Sequence, residues 1–361
     1  MKILHVETGR HFYGGSLQVL YLLHGLGAHG VENLLVCAPQ SELGRQAAGL
    51  AQVVEIASRG ELDVRFYFRL CRVIAAFQPD LVHVHSRRGA DLWGGLAAYR
   101  RHVPALLTRR VDNRENRVWA SFKFGLYERI IAISAGIEKV LQSQGVASAK
   151  RRLVRSAVDV RSYQKPCDRE FFRREFGLPE DALTIGVVAQ LIARKGHRFL
   201  IAAAGRLTAD YPNLRIIFFG RGPLAKELSR RIRNQALEER FIFAGFRRDL
   251  PRFLSHLDLL VHPALLEGLG VSLLQAAAAG VPVAAFAAGG VPEVVRSLDN
   301  GFLVEAGDVR ALVEVIERCL SDSALRRRLG DNGRRLVESK FSVAGMVAGN
   351  LQIYREMLER G

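Results

Sequence analysis

The chain has 361 residues, of which 49% are hydrophobic and 24% are charged, and its formal net charge is +16. Chains of this length usually divide into more than one hydrophobic core, so we expect two domains. The composition is ordinary for a soluble globular α/β protein. The cysteines form no Cys-x-x-Cys or Cys/His pairing, which argues against a disulfide framework or a zinc site and favours a reducing cytoplasm. They are Cys37, Cys71, Cys167 and Cys319.

Neither the N-terminus nor the long uncharged segment of the second half predicts a targeting or membrane-spanning element. The start, MKILHVETGR, has no long apolar core behind Lys2 and is typical of a first β-strand, so we expect no signal peptide. Residues Gly268–Pro292 carry no charge, which by itself would suggest a membrane span. Two prolines and five glycines interrupt this segment at turn spacing, so we expect a helix, a strand and a loop there.

Apolar runs typical of strands alternate with amphipathic helical stretches along the chain, which predicts parallel βαβ units. The strands predicted in the first half are Lys2–Glu7, Leu34–Ala38, Val53–Ile56, Leu81–His85, Ala105–Thr108, Ile130–Ile133 and Arg152–Arg155. Those predicted in the second half are Thr184–Ala189, Leu214–Phe219, Phe241–Phe243, Leu259–His262, Val283–Phe286 and Gly301–Val304. The pattern predicts an α/β fold of two doubly wound, Rossmann-like parallel-sheet domains that face a common cleft.

The boundaries of these domains follow from a polar stretch and a helical tail. Residues 159–179 are polar and broken by Pro166 and Pro179, so we expect an interdomain linker there. The tail Ser342–Leu358 has the apolar spacing of a helix. We therefore place a first domain at residues 1–165, a second at 166–341 and a C-terminal helix at 342–361.

The segment His262–Val295, HPALLEGLGVSLLQAAAAGVPVAAFAAGGVPEVV, holds the most informative pattern. Within it, Glu267 directly precedes a Gly-Leu-Gly turn that opens an apolar helix. The free N–H groups and the dipole of such a helix N-terminus favour an anion. The carboxylate would repel a phosphate, but it can accept hydrogen bonds from the hydroxyls of an attached sugar. The pattern therefore predicts a site for a sugar nucleotide.

This segment resembles the family 4 retaining glycosyltransferases of the GT-B fold, also called glycosyl transferases group 1. Their pattern is Glu, then Gly-x-Gly, a second acidic residue separated from the first by seven residues, Ala-x-x-x-Gly-x-Pro-Val, and later Gly-Gly-x-x-Glu. Gln275 stands where the second acidic residue is expected to hold the nucleotide ribose, so the resemblance implies altered binding there. The matching residues are Glu267, Gly268, Gly270, Gly280, Pro282, Val283, Gly289, Gly290 and Glu293.

The resemblance implies further donor-site residues in the turns that follow predicted strands. Lys195 matches a family lysine that grips the diphosphate, whereas Gln190 replaces the usual arginine and Arg194 is its expected substitute. A cationic pair suits a leaving group that gains negative charge at the transition state. The other positions are Gly220, Arg221 and Gly222 in the base pocket, Phe246 at the base edge or in the core, and the amides of Gly268, Leu269 and Gly270 at the diphosphate.

The first domain matches the family in layout more than in motif. Gly14 and Gly15 follow the first strand, where the family loop approaches the donor diphosphate or the acceptor. His83 and His85 share one face of a predicted strand, and His85 lies near its carboxyl end; a catalytic or acceptor-side role and an ordinary satisfied histidine both remain open. Many family members place a histidine after the next strand, but Arg110 stands there in this chain.

The resemblance implies a glycosyltransferase of hexosyltransferase type that works without a metal or other cofactor. The donor would be a nucleoside-diphosphate sugar, with a UDP-sugar favoured, and Glu267 would fix the hydroxyls of its sugar. The acceptor would be a glycolipid or polysaccharide such as lipopolysaccharide core, met at the cytoplasmic face of the membrane. The C-terminal helix would cross back to the first domain. Two alternatives remain: a non-catalytic nucleotide-sugar-binding relative, prompted by Gln190, Gln275 and Arg110, and a sugar-nucleotide 2-epimerase on the same scaffold.

Positive charge is concentrated in residues 1–165, which hold 24 Lys and Arg against 13 Asp and Glu. A solvated basic face would account for this excess. Attraction to anionic lipid headgroups or to a phosphorylated acceptor is the second interpretation. We expect no nucleic-acid binding, because there is no recognition-helix module, RNP motif or zinc finger. Much of the excess comes from Arg87, Arg88, Arg100, Arg101, Arg109, Arg110, Arg114 and Arg117.

Overall fold

The computed structural model of the protein describes residues 1–87, 89–164 and 168–359, so Arg88, Pro166 and Cys167, named above, lie outside the described residues. The chain forms two compact units. One consists of Met1–Ala157 with Val343–Gly361, and the other of Val158–Ser342.

The first unit is built on a parallel sheet that has seven strands in the described residues. Their order across the sheet is β3-β2-β1-β4-β5-β6-β7, numbered along the chain. These strands are β1 (Lys2–Glu7), β2 (Glu32–Cys37), β3 (Gln52–Glu55), β4 (Leu81–Val84), β5 (Ala105–Arg109), β6 (Arg129–Ala132) and β7 (Arg151–Leu153). The central strands are buried and mostly apolar, as expected of a parallel sheet that helices cover on both faces, although β1 and β4 each contain a buried histidine.

Helices connect these strands and form two layers. They are α1 (Gly14–Gly27), α2 (Glu42–Ala47), α3 (Val64–Phe77), α4 (Ala90–Arg100), α5 (Arg117–Gly125) and α6 (Ala135–Ser143). Because parallel strands are joined by right-handed crossovers, α1 and α2 lie on one face of the sheet and α3 to α6 on the other. Contacts of α1 with α2, of α3 with α4 and of α4 with α5 agree with this arrangement.

The second unit contains a parallel sheet of six strands within the described ranges, in the order β10-β9-β8-β11-β12-β13. Its strands are β8 (Leu183–Val188), β9 (Leu214–Phe219), β10 (Phe241–Gly245), β11 (Leu259–His262), β12 (Val283–Phe286) and β13 (Gly301–Val304). Its helices are α7 (Arg169–Phe176), α8 (His197–Asp210), α9 (Ala225–Arg233), α10 (Pro251–Leu254), α11 (Val271–Ala278), α12 (Val291–Val294), α13 (Val309–Ser321) and α14 (Ser323–Lys340).

The predicted architecture of two doubly wound parallel sheets is confirmed. Every predicted strand is present, with ends that differ by at most two residues from those observed. The direction of winding reverses between β1 and β4 in the first sheet and between β8 and β11 in the second. Ligands of such sheets bind outside the carboxyl ends of the strands at this switch point.

The predicted linker is wrong in its central part, which forms helix α7. Asp168 caps this helix, and Gly177 ends it in the left-handed conformation with φ of 60°. Phe172 and Phe176 are buried on one side of the helix, where their rings lie 6.3 and 5.1 Å from that of Phe253. The charged residues that suggested a linker therefore belong to the solvent-facing side of a packed helix.

No helix among the described residues is long and apolar enough to cross a bilayer. The uncharged segment Gly268–Pro292 instead contains α11, β12 and the start of α12. Pro282 immediately precedes β12, and Pro292 lies in the first turn of α12, where a missing backbone N–H costs nothing. Prolines at these positions divide the apolar run as the sequence predicts.

The last helix of the chain, α15 (Val343–Leu358), packs against α1 within the first unit. Gly25 of α1 lies so close to Val347 that a Cβ there would collide with the valine methyl groups. The hydroxyl of Tyr354 lies 2.6 Å from Nδ1 of His83. Helix α15 thus adds both apolar packing and a buried hydrogen bond to this unit.

Three histidines of the first unit, His5, His83 and His85, are buried side by side. Nδ1 of His5 lies 3.0 Å from Nε2 of His85, and Nε2 of His83 lies 2.7 Å from the hydroxyl of Thr108. Burial lowers the pKa of His5 to about 4 and holds the pKa values of His83 and His85 well below the usual range. The three imidazoles are therefore neutral at physiological pH.

We expect mild acid to destabilise the first unit through these histidines. In the unfolded chain they take up protons below about pH 6.5, whereas folded His5 resists protonation until about pH 4. Their stabilising contribution is therefore complete above about pH 6.5 and is lost as the pH falls towards the folded pKa. His5→Gln should reduce the loss of unfolding free energy between about pH 7 and about pH 5 by about 2 kcal/mol.

Urea unfolding at the two pH values measures this difference. His29→Gln, at an exposed histidine of the same unit, is the control and should keep the wild-type pH dependence. If His5→Gln also keeps it, the buried histidines do not cause the acid sensitivity.

Candidate functional site

The second unit gathers most of the predicted site residues at one edge of its sheet. The loops that follow β8, β9, β10 and β11 lie there because these strands are parallel neighbours. Lys195 follows β8 and Glu267 follows β11, so these two residues flank the switch point. The predicted residues on these loops are Gln190, Arg194, Lys195, Gly220, Arg221, Gly222, Phe246, Glu267, Gly268, Leu269 and Gly270, and Gln275 follows in α11.

Glu267 is the centre of a hydrogen-bond network. The Lys195 ammonium forms an ion pair with Oε2 of Glu267, and Nε2 of His262 lies 2.8 Å from the same oxygen. The backbone N–H of Gly268 donates to Oε1 at 3.1 Å. The side chains of Lys195 and Glu267 are each only 12% exposed. Both carboxylate oxygens are therefore held in fixed positions at the switch point.

The network also fixes the charge of Glu267. Burial alone would raise the pKa of this carboxyl, but the Lys195 ammonium and the hydrogen bond from His262 outweigh burial and hold the pKa far below its usual range. His262 is fully buried, and burial lowers its pKa despite the neighbouring carboxylate. At physiological pH a neutral His262 therefore donates its Nε2 proton to an ionised Glu267. An ionised, preoriented carboxylate is suited to accept hydrogen bonds from hydroxyl groups.

Close backbone contacts hold the loop after β8 against the loop after β11. Gly196 has φ of +69°, and a Cβ there would collide with the carbonyl of Pro263, so this position requires glycine. The N–H of Leu265 donates to the carbonyl of Arg194 at 2.8 Å. The Arg194 guanidinium reaches the carbonyl of Leu266 at 3.5 Å. Arg194 therefore lies at this loop contact, while its neighbour Lys195 makes the contact with Glu267.

The Gly-Leu-Gly turn opens helix α11, as its sequence indicates. Gly270 precedes the first helical residue with φ of +92°, and a Cβ there would lie 2.6 Å from a Leu273 methyl group. Leu269 is buried, so its side chain does not face solvent. Gln275 lies in the second turn of α11 and is partly exposed. Among the residues predicted for the site, Gln275 is thus the one in this segment whose side chain can contact a ligand.

Close packing explains why the loop after β9 has glycine at two positions. A Cβ at Gly220 or at Gly222 would collide with the carbonyl of Ala189 or of Leu191, respectively. The N–H of Leu191 donates to the carbonyl of Arg221 at 3.1 Å, which joins the loops after β8 and β9. These glycines therefore support the site by letting its two loops approach, and their predicted place in a base pocket stays a prediction.

Three predicted side chains at this edge are open to solvent. Arg221 is exposed and lies beside Gly245. Phe246 follows an irregularity at the end of β10 and is partly exposed, so it is not the core residue considered as the alternative. Gln190 is also partly exposed. All three are available to a ligand at the carboxyl edge of the sheet.

The switch point of the first unit brings a second set of polar residues together. Glu7 ends β1, His85 follows β4 and Arg110 follows β5. His85 is buried, and within the described residues its Nδ1 has no hydrogen-bond partner. The predicted loop Gly14-Gly15 is instead the first turn of α1, and the Arg110 side chain lies close to Gly15. Charge interactions link Arg110 with both Glu7 and His85.

The buried histidines of this unit satisfy a distance criterion for a metal site, since one nitrogen of each lies within 4.8 Å of the others. Hydrogen bonds already engage these rings: His5 bonds to His85 and Asn33, and both nitrogens of His83 bond to hydroxyl groups. A cation would have to break these bonds near the positive charge of Arg110. The hydrogen-bond network therefore accounts for the cluster without an ion.

Two residues of the site were missed by sequence reasoning. His262 orders Glu267, and its only sequence signal is its place at a strand end five residues earlier. Glu7 accepts a hydrogen bond from the Gly9 N–H at 2.9 Å, and the charge of Arg110 acts on it. Each lies at the carboxyl end of a strand beside a switch point, which strand order alone can reveal.

We expect Glu267→Gln to lower the free energy of unfolding by about 2 kcal/mol, because it leaves the Lys195 ammonium largely buried without a counter-charge. Adding Lys195→Met removes that charge, so the double variant should lose at least about 1 kcal/mol less than the sum of the two single variants. Urea unfolding measures all four proteins. Glu314→Gln, which breaks the exposed Arg310–Glu314 pair, is the control and should change stability little. Additive losses would mean that the ion pair contributes no coupling.

Family models match most of the chain. The model for Glycosyltransferase Family 4 matches residues 13–162, and the model for Glycosyl transferases group 1 matches residues 168–336. EpsD of Bacillus subtilis (strain 168), whose name describes a glycosyltransferase, is 30% identical over 313 residues, which are 82% of each chain. LpsE of Rhizobium meliloti (strain 1021), named as a lipopolysaccharide core biosynthesis glycosyltransferase, is 24% identical over 356 residues, or 98% of each chain. The chain spans 65% and 56% of the length of two other curated relatives that it matches.

The fold has a solved counterpart over its whole length. The crystal structure of Anabaena HepE in complex with UDP-glucose matches with a TM-score of 0.85 and 20% identity, and the match covers 100% of each chain. The network around Glu267 lies inside the region matched by the group 1 model, and His85 and Arg110 lie inside the region matched by the Family 4 model. The chain therefore belongs to the group 1 glycosyl transferases of Glycosyltransferase Family 4, and it has the GT-B fold.

Proposed function

We propose that the protein transfers a hexose from a UDP-sugar to a glycolipid or polysaccharide acceptor such as lipopolysaccharide core, with retention of configuration at the sugar carbon. The observation that carries this proposal is the ionised Glu267 held between Lys195 and His262 at the switch point of the second unit. In this arrangement Glu267 can accept hydrogen bonds from sugar hydroxyls, and Lys195 can bind a departing phosphate. The likeness to HepE, which was solved with UDP-glucose, supports the choice of donor.

In this proposal Lys195 exchanges its ion pair with Glu267 for one with the donor diphosphate. Arg194 adds a second cation, and Glu267 is then free to bind the hydroxyls of the donor sugar. The diphosphate gains negative charge as it leaves, so cations placed beside it bind the transition state more strongly than the bound donor. Gln275 would hold the ribose and Phe246 the edge of the base. Gln190, Gly220, Arg221 and Gly222 would line the nucleotide pocket, and the amides of Gly268, Leu269 and Gly270 would face the diphosphate.

The proposed reaction breaks the bond between the sugar carbon and the diphosphate oxygen and forms a bond of the same configuration to the acceptor oxygen. The acceptor hydroxyl approaches from the face that the diphosphate leaves. The products are the glycosylated acceptor, UDP and a proton. Because Lys195, Arg194 and backbone N–H groups would carry the charge of the diphosphate, we propose that the reaction needs no metal or other cofactor.

Charge in the first unit supports an anionic, membrane-associated acceptor. Arg110 makes no ion pair with the described residues, although the carboxylate of Glu7 is near, and burial lowers the pKa of Arg110 only to about 10. Arg110 is therefore charged at physiological pH, and a phosphate or carboxylate of the acceptor would neutralise it. His85 lies beside it with an unbonded Nδ1 and would contact the same acceptor. The name of LpsE agrees with an acceptor of the lipopolysaccharide core type. We propose that the protein meets this acceptor at the cytoplasmic face of the membrane.

We expect UDP to raise the thermal stability of the protein, and Lys195→Ala to reduce this rise. A ligand that binds only the folded state stabilises it by RT ln(1 + [L]/Kd), about 2.7 kcal/mol at a hundredfold excess over Kd. GDP, ADP and CMP serve as competing probes in the same melting experiment. Lys340→Ala, at an exposed lysine at the end of α14, is the control and should keep the wild-type response. A wild-type protein that responds to none of the nucleotides would contradict the proposed donor site.

We expect Glu267→Gln to keep the UDP response but to slow release of UDP from UDP-glucose by about a hundredfold, because Glu267 would bind the donor sugar and not the nucleotide. The assay follows UDP release with a glycolipid extract as acceptor, and slow hydrolysis without it. Glu314→Gln should release UDP at the wild-type rate, and EDTA should leave that rate unchanged. Binding of UDP without any turnover of the donor by the wild type would favour the non-catalytic relative instead.

A further inference from the structure

The outer side of helix α5 exposes a group of large apolar side chains. Val118, Trp119 and Phe122 are 80%, 43% and 52% exposed, and the ring centroids of Trp119 and Phe122 lie 5.8 Å apart. Single exposed apolar residues are ordinary, but adjoining ones on one side of a helix mark an interaction surface. The inner side of the same helix already contributes Ala120 and Phe124 to the buried core.

The exposed charge beside this group is positive. Helix α5 contains no Asp or Glu, and the exposed charged residues between positions 113 and 125 are Arg114 and Arg117. Glu115 is turned inward, where it pairs with Arg109 at 2.6 Å and with Lys123 at 2.5 Å. The outer side of α5 is thus apolar, and the exposed charges at its N-terminal end are positive. We call the exposed side chains of Arg114, Arg117, Val118, Trp119 and Phe122 the α5 face.

The α5 face is presented by a firmly anchored helix. Asn116 caps α5 by accepting a hydrogen bond from the Val118 N–H at 3.0 Å. The buried ammonium of Lys123 pairs with Asp91 at 2.6 Å, which ties α5 to the start of α4. Because this backbone is already ordered, docking of the α5 face would not require a segment to fold.

Other exposed apolar residues of the first unit lie on the same side of its sheet. In the described part of the chain, α1, α2 and α15 on the opposite side expose no large apolar side chain. The side that carries α3, α4 and α5 is also rich in exposed arginines. Its further exposed residues include Leu62, Val64, Phe68 and Tyr99, with Arg65, Arg69, Arg72, Arg100 and Arg101.

We propose that the α5 face inserts into the headgroup region of an anionic lipid bilayer and holds the enzyme at that surface. Trp119 and Phe122 suit the depth of the interface between headgroups and acyl chains, and the arginines of the face would lie against lipid phosphates. The arginines would contribute nothing to the binding of a neutral apolar partner. The exposed Val118 would contribute nothing to the binding of a nucleic acid. The inference rests on the proposed lipid-linked acceptor and names the surface by which the protein reaches it.

The test is co-sedimentation of the full chain with vesicles of phosphatidylcholine, with and without phosphatidylglycerol. Trp119→Ser with Phe122→Ser should weaken binding to anionic vesicles at least about tenfold. Arg114→Ser with Arg117→Ser should weaken it by about 25-fold, from roughly a fivefold loss for each arginine. The controls are Leu298→Ser, at an exposed apolar residue of the second unit, and Arg327→Ser with Arg328→Ser on α14, which should bind as the wild type does.

A second measurement tests insertion directly. Brominated lipids should quench the fluorescence of the wild type, and Trp119→Phe, which keeps the apolar side chain and leaves Trp93 in place, should abolish that quenching. The proposal would be overturned if the wild-type protein did not bind anionic vesicles. It would also be overturned if neither pair of substitutions weakened that binding. Self-association in sedimentation velocity that Trp119→Ser with Phe122→Ser abolishes, without any vesicle binding, would assign the α5 face to a second copy of the chain and also overturn it.

The UDP response of the same proteins separates this inference from the proposed function. Vesicle binding needs no donor, so a wild type that fails to bind vesicles but keeps its UDP response would overturn the lipid surface alone. A wild type without a UDP response would instead contradict the donor site.

Discussion

The contact between Lys195 and Glu267 is the interaction on which the second unit's site depends. The two residues are far apart in the chain and meet only because β8 and β11 are neighbours in the sheet. A carboxyl as buried as Glu267 would favour its neutral form without a nearby cation and a hydrogen-bond donor, and Lys195 and His262 supply both. Strand order therefore determines the charge state of the residue that we propose to bind the donor sugar.

Backbone packing makes this contact geometrically feasible. The loop that carries Lys195 can approach the loop that carries Glu267 because Gly196 has no Cβ to strike the Pro263 carbonyl. Gly220 plays the same part for the loops after β8 and β9. Gly220, which the sequence suggested as a ligand contact, is thus required by the protein's own packing, and its presence alone is weak support for a ligand.

The strands were predictable because buried parallel strands are continuous apolar runs, and the turns between them carry glycine or proline. Helix α7 was missed because its charged residues outnumber its apolar ones. Its capping residues Asp168 and Gly177, together with Phe172 and Phe176 four residues apart, were visible in the sequence and predict a short amphipathic helix. Pro179, which suggested a loop, follows this helix and does not interrupt it.

The site was predictable only as a set of separate loops. The Gly-Leu-Gly turn and Lys195 could be found by spacing and resemblance, but their meeting depends on long-range strand order. His262 was missed because a histidine within an apolar strand is ordinarily a satisfied polar residue, and only its contact with Glu267 distinguishes it. The sequence likewise left open whether Gly14 and Gly15 form a loop or the first turn of a helix, since glycine suits either.

Net charge from the sequence overstates the charge that the first unit can offer to a partner. Arg109 and Lys123 are buried, and Glu115 neutralises much of their charge inside the protein. Arg110, adjacent to Arg109 in the chain, has no such ion pair and lies with Glu7 and the histidines at the switch point. Arg114 and Arg117 remain in solvent beside exposed apolar side chains. One arginine-rich stretch therefore has three separate parts: a structural ion-pair cluster, a cation at the switch point and an exposed surface. Only the last two have charge left to bind an anion outside the fold.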